Sequence, residues 1–179
     1  MDNAFSTIEI LRKDCAVKQK RGLHFIVSSV LIWAAVLAIQ LSPLNVMQKN
    51  MLTFCCSAPL MPLAYGLSKI IGVDFSNKTN PLTNLGILFS VNQMVYILIA
   101  MWVFSSVPDK MLMVYAMIFG AHLMPYGWLY KSKAYYVMSV LVSIAVLFIG
   151  VNFSSAAVAA FMLGAEIAFC GLLARENSV

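Results

Sequence analysis

Charged side chains are scarce in this chain. Asp, Glu, Lys and Arg make up 11% of its 179 residues, whereas 61% are hydrophobic. A soluble domain contains about 25% charged residues. The core of a folded chain of 179 residues is too small to bury this much apolar surface. The scarcity therefore excludes a water-soluble globular domain and indicates that a lipid bilayer surrounds much of the chain.

Residues that bind metals or carry out covalent chemistry are also few. The chain has two His and four Cys, and the cysteines form no C-x-x-C or Cys/His ligand pattern. It has no H-E-x-x-H motif, G-x-S-x-G elbow, Walker loop or dinucleotide fingerprint. We therefore expect no metal and no cofactor, and without a convincing nucleophile–base pair the sequence favours a protein that is not an enzyme.

The net charge of +5 does not point to nucleic acid, because no basic patch is interleaved with aromatic residues. The first 23 residues are polar and mixed in charge, and no cleavable signal peptide is evident. The positive charge is better interpreted as a signal for membrane topology.

Six long apolar runs account for most of the sequence. A helix that crosses a hydrocarbon layer of ~30 Å needs about 20 residues. The runs that meet this need are 24–41, 51–69, 84–105, 110–129, 134–151 and 154–173. They lack the alternation of barrel strands. The predicted fold is therefore all-α: a polytopic transmembrane bundle of six helices over residues 24–173, followed by a cytoplasmic tail at 174–179.

The segment 1–23 is predicted to be a cytoplasmic interfacial segment containing an amphipathic helix. Ile8, Leu11 and Cys15 share one helical face. The cationic side chains among residues 18–21 can meet anionic headgroups. The alternative is a short disordered tail.

The distribution of Lys and Arg predicts the orientation. Cytoplasmic loops of membrane proteins carry an excess of these residues. If the N-terminus is cytoplasmic, ten of the twelve lie inside, and only Lys49 and Lys110 lie outside. We therefore predict a multi-pass protein of the inner cell membrane with both termini in the cytoplasm.

Two ionisable residues, His122 and Glu166, lie well inside predicted spans, where each is energetically costly. Asn92 and Gln93 are the strongest uncharged polar groups of the third run. Counting residues from each end of the spans places all four at about the same depth in the membrane, slightly to the cytoplasmic side of the bilayer midplane. They are predicted either to hold the bundle in register by hydrogen bonds or to line a cavity for a solute or a proton, and a metal site is the least favoured interpretation.

One face of the fourth run is aromatic and polar, with Tyr115, Phe119, His122 and Tyr126 at helical spacing. Pro125 predicts a kink in that helix, and Pro59 and Pro62 predict one in the second run.

Small residues predict where helices approach closely. They recur every four positions in the sixth run, at Ala156, Ala160 and Gly164. Ala116 and Gly120 give the fourth run a similar face, and such faces let membrane helices pack tightly. We predict that these two helices pack together and bring Glu166 close to His122.

These features favour a small membrane carrier or solute-binding protein. Its predicted site consists of Asn92, Gln93, Tyr115, His122, Tyr126 and Glu166. The second hypothesis is a non-catalytic partner or structural subunit, docked to a second copy or another membrane protein through small-residue faces. An intramembrane lipid-modifying enzyme with His122 as base ranks lowest.

Three segments carry a family resemblance: Asn80-Pro81-Leu82, residues 52–56 and residues 120–130. With these, the chain resembles an uncharacterised bacterial family of small six-helix integral membrane proteins, a domain of unknown function. The resemblance implies a membrane location and no mechanism. A weaker similarity is to substrate-binding subunits of energy-coupling-factor vitamin transporters, in which a small-residue motif of the first helix meets a partner, as Ala34 and Ala38 would here.

Overall fold

The computed structural model describes residues 2–178, with side chains from residue 6 onward, and this part of the chain is helical without any strand. Nine α-helices follow one another in these residues: α1 Asp2–Lys18, α2 Leu23–Leu41, α3 Val46–Ser57, α4 Leu60–Ile71, α5 Leu82–Ser106, α6 Met111–His122, α7 Met124–Leu129, α8 Lys133–Asn152 and α9 Ser155–Asn177. Short 3-10 turns at Lys20–Gly22 and Pro108–Lys110 precede α2 and α6. The predicted all-α fold is confirmed.

Five stretches of the described chain are long and apolar enough to cross a membrane. They are Lys20–Leu41, Leu82–Ser106, Pro108–Leu129, Lys133–Asn152 and Ser155–Asn177. The helices α3 and α4 add a sixth span if this pair, bent by 41°, is counted as one. The number of spans is thus five or six, and the predicted six is the upper figure.

The breaks in two of the predicted runs coincide with prolines. Pro59 precedes the first residue of α4, and Pro125 lies in the first turn of α7. Proline has no backbone N–H to donate to the preceding turn, and its ring clashes with the carbonyl four residues back. The kinks predicted from these two prolines are therefore present as helix breaks.

The long helices form an open ring. Each helix packs on the next in the order α4, α2, α9, α8, α6, α5, and α4 and α5 are the two that lack a substantial mutual interface. Among the described residues, the largest fully buried side chains include Trp33 of α2 and Phe169 of α9. The ring therefore has a tight side around α2, α9 and α8, and a looser side between α4 and α5.

The prediction that α6 and α9 pack near each other is confirmed, since the two helices are in contact, but the glycines of their small-residue faces do not form that contact. Gly120 of α6 packs on α8, where an added Cβ would lie 2.9 Å from Val142 Cγ1 and 3.1 Å from the backbone nitrogen of Ser143. On α9, Ala160 is exposed, and an added Cβ at Gly164 would meet no atom within 4 Å. The helix α9 packs on α2 through its opposite, buried face, where Glu166 meets Ser29.

The helix predicted in segment 1–23 is present as α1, and it docks on one end of the bundle. Cys15 and Ala16 are buried there. The Asn80 side chain donates hydrogen bonds to the Leu11 carbonyl and to an Asp14 carboxylate oxygen, both at 2.8 Å. The Arg12 guanidinium lies 4.5 Å from the centre of the Trp128 ring. These contacts exclude a disordered tail for the described residues of this segment.

Both ends of the described chain meet at this same end of the bundle. Arg21 donates to the Asn177 side chain at 2.7 Å, and Lys131 pairs with Glu9 at 2.6 Å. At the opposite end, Lys49 donates to the Gln40 carbonyl and Lys110 to the Gly150 carbonyl. The cationic segments predicted to be cytoplasmic thus lie at one end of the bundle, and Lys49 and Lys110 lie at the other. Which end faces the cytoplasm stays a prediction.

Candidate binding cavity

An interior cavity of about 370 Å³ lies inside the open ring, lined by α2, α3 and α4 on one side and by α5, α6 and α7 on the other. Its walls are mainly apolar and aromatic, and include Trp33, Phe54 and Phe119. Small-molecule sites are mostly apolar clefts of ~300–1000 Å³ with a few placed polar groups. The cavity has the size and character of such a site.

All four residues of the aromatic and polar face predicted on the fourth run line this cavity: Tyr115, Phe119, His122 and Tyr126. Tyr115 packs between Trp33 and Phe54, with ring centroids 6.2 and 5.8 Å apart. The kink before α7 keeps Tyr126 on the same wall. Helical spacing was therefore enough to place these four residues on one wall of the cavity.

His122 is fixed by its own helix. Its Nδ1 lies 2.5 Å from the Phe119 carbonyl oxygen. A carbonyl oxygen can only accept, so Nδ1 carries a proton in this contact. His122 also lines the cavity, and in the neutral tautomer with the proton on Nδ1 its Nε2 is a hydrogen-bond acceptor.

Tyr126 joins α7 to α5. Its hydroxyl donates to the Gly86 carbonyl at 3.0 Å and lies 2.7 Å from the Ser90 hydroxyl. Its ring stacks on that of Tyr130 at 5.9 Å. Tyr130 in turn donates to the Gln19 side chain at 2.8 Å. These tyrosines form the floor of the cavity and connect it to the end where α1 docks.

Of the two predicted amides of α5, only one faces the cavity. Gln93 is 9% exposed and lines it, whereas Asn92 is exposed on the outer side of the helix and does not. Adjacent residues of an α-helix point about 100° apart. Asn92 is therefore no longer a candidate for this cavity.

Glu166 lies at the interface of α9 and α2, behind the cavity wall, and its side chain is fully buried. One carboxyl oxygen is hydrogen-bonded to the Ser29 hydroxyl, and the other has no hydrogen-bond partner among the described residues. Ser29 itself lines the cavity. Glu166 therefore reaches the cavity through Ser29, and no hydrogen bond joins it to His122 in the described chain.

Two buried residues near the cavity were not predicted as site residues. Ser29 carries no distinctive sequence signal, because serine is common in membrane helices. His24, at the start of the first predicted span, is buried beside Phe75, with ring centroids 5.5 Å apart. The segment that covers it is distant in sequence, so only the folded chain reveals its burial.

Side chains able to bind a metal do not gather in the described part of the chain: no three of His, Cys, Asp and Glu come together. The side chains that line the cavity offer hydrogen bonds and apolar contact.

The apolar helices and their packing define the class of this chain, which is an α-helical membrane protein. It belongs to a family of unknown function, DUF7010, whose sequence model matches residues 8–176. The resemblance seen in the sequence to a family without assigned activity is thus confirmed. No curated protein and no solved structure matches the chain.

Proposed function

We propose that the protein is a small membrane carrier or solute-binding protein of the cell membrane, and that the interior cavity is its binding site. One observation carries the proposal. Polar side chains from four helices converge on a cavity with apolar walls: Ser29 of α2, Gln93 of α5, His122 of α6 and Tyr126 of α7. Buried polar groups are costly unless they have partners. Ser29, His122 Nδ1 and Tyr126 have partners within the protein, whereas the Gln93 side chain has none among the described residues, and a bound solute would supply one.

The side chains that line the cavity indicate which chemical class of solute would bind there. No Asp, Glu, Lys or Arg of the described chain lines the cavity, so the part of the solute held there is uncharged. The Gln93 amide can donate and accept, and His122 Nε2 can accept. The aromatic walls would hold an apolar body by contact. We propose Glu166 as a positioning residue that orients the Ser29 hydroxyl.

Two neighbouring amides provide a matched test. Proteoliposomes containing the wild-type protein, Gln93→Leu or Asn92→Leu are incubated with a defined mixture of small metabolites and lipids, and bound or accumulated compounds are measured by mass spectrometry. We expect Gln93→Leu to lower uptake or binding about tenfold, as loss of one buried hydrogen bond would. Asn92→Leu also replaces a side-chain amide by an apolar group, but at a position outside the cavity. Its uptake or binding should therefore equal that of the wild type.

His122→Phe provides a second variant of similar size, and it should lower uptake or binding in the same way. If no compound is retained above protein-free liposomes, or if both cavity variants retain as much as wild type, the carrier or solute-binding proposal is wrong.

A second candidate function is that of a non-catalytic partner subunit. It is favoured by the exposed face of α9 that contains Ala160 and Gly164, because membrane helices use small residues where another helix approaches. The mass of the purified complex tests it. An assembly that Gly164→Leu dissociates supports the partner role, whereas a monomer in both forms contradicts it.

A further inference from the structure

A second cavity of about 620 Å³ adjoins the first, toward the end of the bundle where α1 docks. The two share a wall that includes Phe25, Ser90 and Tyr126. Both cavities expose mainly apolar surface, but aromatic rings dominate the first, whereas the second is lined by amide and hydroxyl residues such as Gln19, Asn80 and Thr83. Side by side, the cavities form one space, and we call the part with aromatic walls the apolar half and the part with amide and hydroxyl residues the polar half.

His24 marks the polar half as a site. Its side chain is only 2% exposed and lines the second cavity, and neither ring nitrogen has a hydrogen-bond partner among the described residues. The aromatic rings beside it, Phe25 and Phe75, cannot satisfy these nitrogens. A buried imidazole with no partner in the protein is suited to a polar group of a ligand.

The charges around this cavity favour an anion. Lys78 is the one charged residue of the described chain that lines it. Of the nearby acidic groups, Asp14 forms an ion pair with Lys18 at 2.8 Å, and Asp74 accepts a hydrogen bond from the Asn77 backbone N–H at 2.9 Å. A negatively charged headgroup would therefore meet a cation and the imidazole.

The looser side of the ring supplies a route from the bilayer. Met61 of α4 and Met94 of α5 line both cavities, and their side chains are 51% and 54% exposed. They flank the gap between the two helices that do not pack on each other. Methionine is unbranched and flexible, and it adapts to irregular apolar ligands. An alkyl chain could enter sideways between them.

We infer that the two cavities hold one amphiphile with an anionic headgroup. The headgroup lies beside His24 and Lys78, and the alkyl chain extends past Tyr126 into the aromatic cavity that contains Trp33. This inference rests on the proposed function and names its ligand class.

Trp33 provides a reporter inside the apolar half, where it is 1% exposed. The other two tryptophans, Trp102 and Trp128, are exposed and are replaced by Phe. The resulting full-length protein is placed in phosphatidylcholine nanodiscs and titrated with dibromostearate, whose bromine atoms quench indole fluorescence on contact. Oleate, oleyl alcohol and inorganic phosphate serve as competitors.

We expect saturable quenching of Trp33 that oleate relieves and that oleyl alcohol and phosphate do not, because both the anionic head and the tail are needed. His24→Phe and Lys78→Gln should each weaken dibromostearate binding about tenfold. Lys13→Gln removes a charge at the same end of the bundle outside the cavity and should have no effect. If added phosphatidylglycerol competes with dibromostearate, the ligand is a bilayer lipid. If phosphatidylglycerol does not compete, the ligand is a free fatty acid.

Equal competition by oleyl alcohol, or wild-type affinity in both His24→Phe and Lys78→Gln, would overturn the inference but leave a ligand-binding cavity, so the proposed function would stand. Absence of saturable quenching would also overturn it, and the proposed function would then be decided by the comparison of Gln93→Leu with Asn92→Leu.

Discussion

At the scale of single residues, Gly22 determines how the N-terminal helix is joined to the bundle. Its φ is +71°, and Lys20 and Arg21 before it also have positive φ. A Cβ added at Gly22 would lie 2.8 Å from the Tyr135 hydroxyl oxygen. Only glycine can adopt this conformation without a steric penalty and leave room for the tyrosine.

Replacing Gly22 by Ala should therefore destabilise the protein by about 1–3 kcal/mol, through backbone strain and the contact with Tyr135. Thermal unfolding in detergent measures the loss. Gly66→Ala is the matched control, because an added Cβ there meets no atom within 4 Å. A Gly22→Ala protein as stable as Gly66→Ala would contradict this account of the turn.

Asp14 is the residue through which pH should act on the docking of α1. Hydrogen bonds from Asn77, Lys18 and Asn80 lower its pKa from the usual 3.8 to about 2. Because the folded state favours the deprotonated form, Asp14 contributes its full stabilisation above about pH 4, and this is lost as the pH falls toward 2.

Asp14→Asn should therefore speed hydrogen exchange of α1 amides near neutral pH, and the difference from wild type should close as the pH approaches 2. Hydrogen exchange read by mass spectrometry measures both effects. Asp109→Asn, at the opposite end of the bundle, should leave α1 unchanged. Equal α1 exchange in wild type and Asp14→Asn near neutral pH would show that this carboxylate does not hold the helix.

At the scale of elements, the close approach of α6 and α8 depends on Gly120. The side chain of Val142 and the backbone of Ser143 leave no room for a larger residue there. Because α6 carries His122 and Tyr115, this contact also positions one wall of the cavity.

Gly120→Val should separate α6 from α8 at a cost of at least about 1–3 kcal/mol. The expected result is a sharp fall in the monodisperse fraction on size-exclusion chromatography. Gly171→Val, on the open surface of α9, adds the same side chain where nothing lies within 4 Å and should elute normally. If Gly120→Val and Gly171→Val give the same monodisperse fraction, the close contact between α6 and α8 at Gly120 is contradicted.

At the scale of the whole molecule, the cationic segments and both ends of the described chain share one end of the bundle. This arrangement makes the orientation testable with single cysteines placed at Lys13, Lys133 and Lys49 in a background without the native cysteines. We expect a membrane-impermeant maleimide to label only the Lys49→Cys protein in intact cells.

Labelling of both Lys13→Cys and Lys133→Cys from outside would reverse the predicted orientation and leave the fold intact. Labelling of one and not the other would contradict the fold, because the structure brings these segments to the same end.

The sequence alone determined the helical fold, the approximate limits of the apolar helices, the breaks at Pro59 and Pro125, and the polar face of Tyr115, His122 and Tyr126. These features follow from local properties: residues per turn, hydrophobic length and the missing N–H of proline.

Only the tertiary structure decided which helices pack together, and with that which polar groups meet. It places Glu166 beside Ser29, turns Asn92 outward and buries His24 under a distant segment. The physical reason is that helix pairing depends on the fit of side chains far apart in sequence, and a helical repeat does not specify the partner of each face.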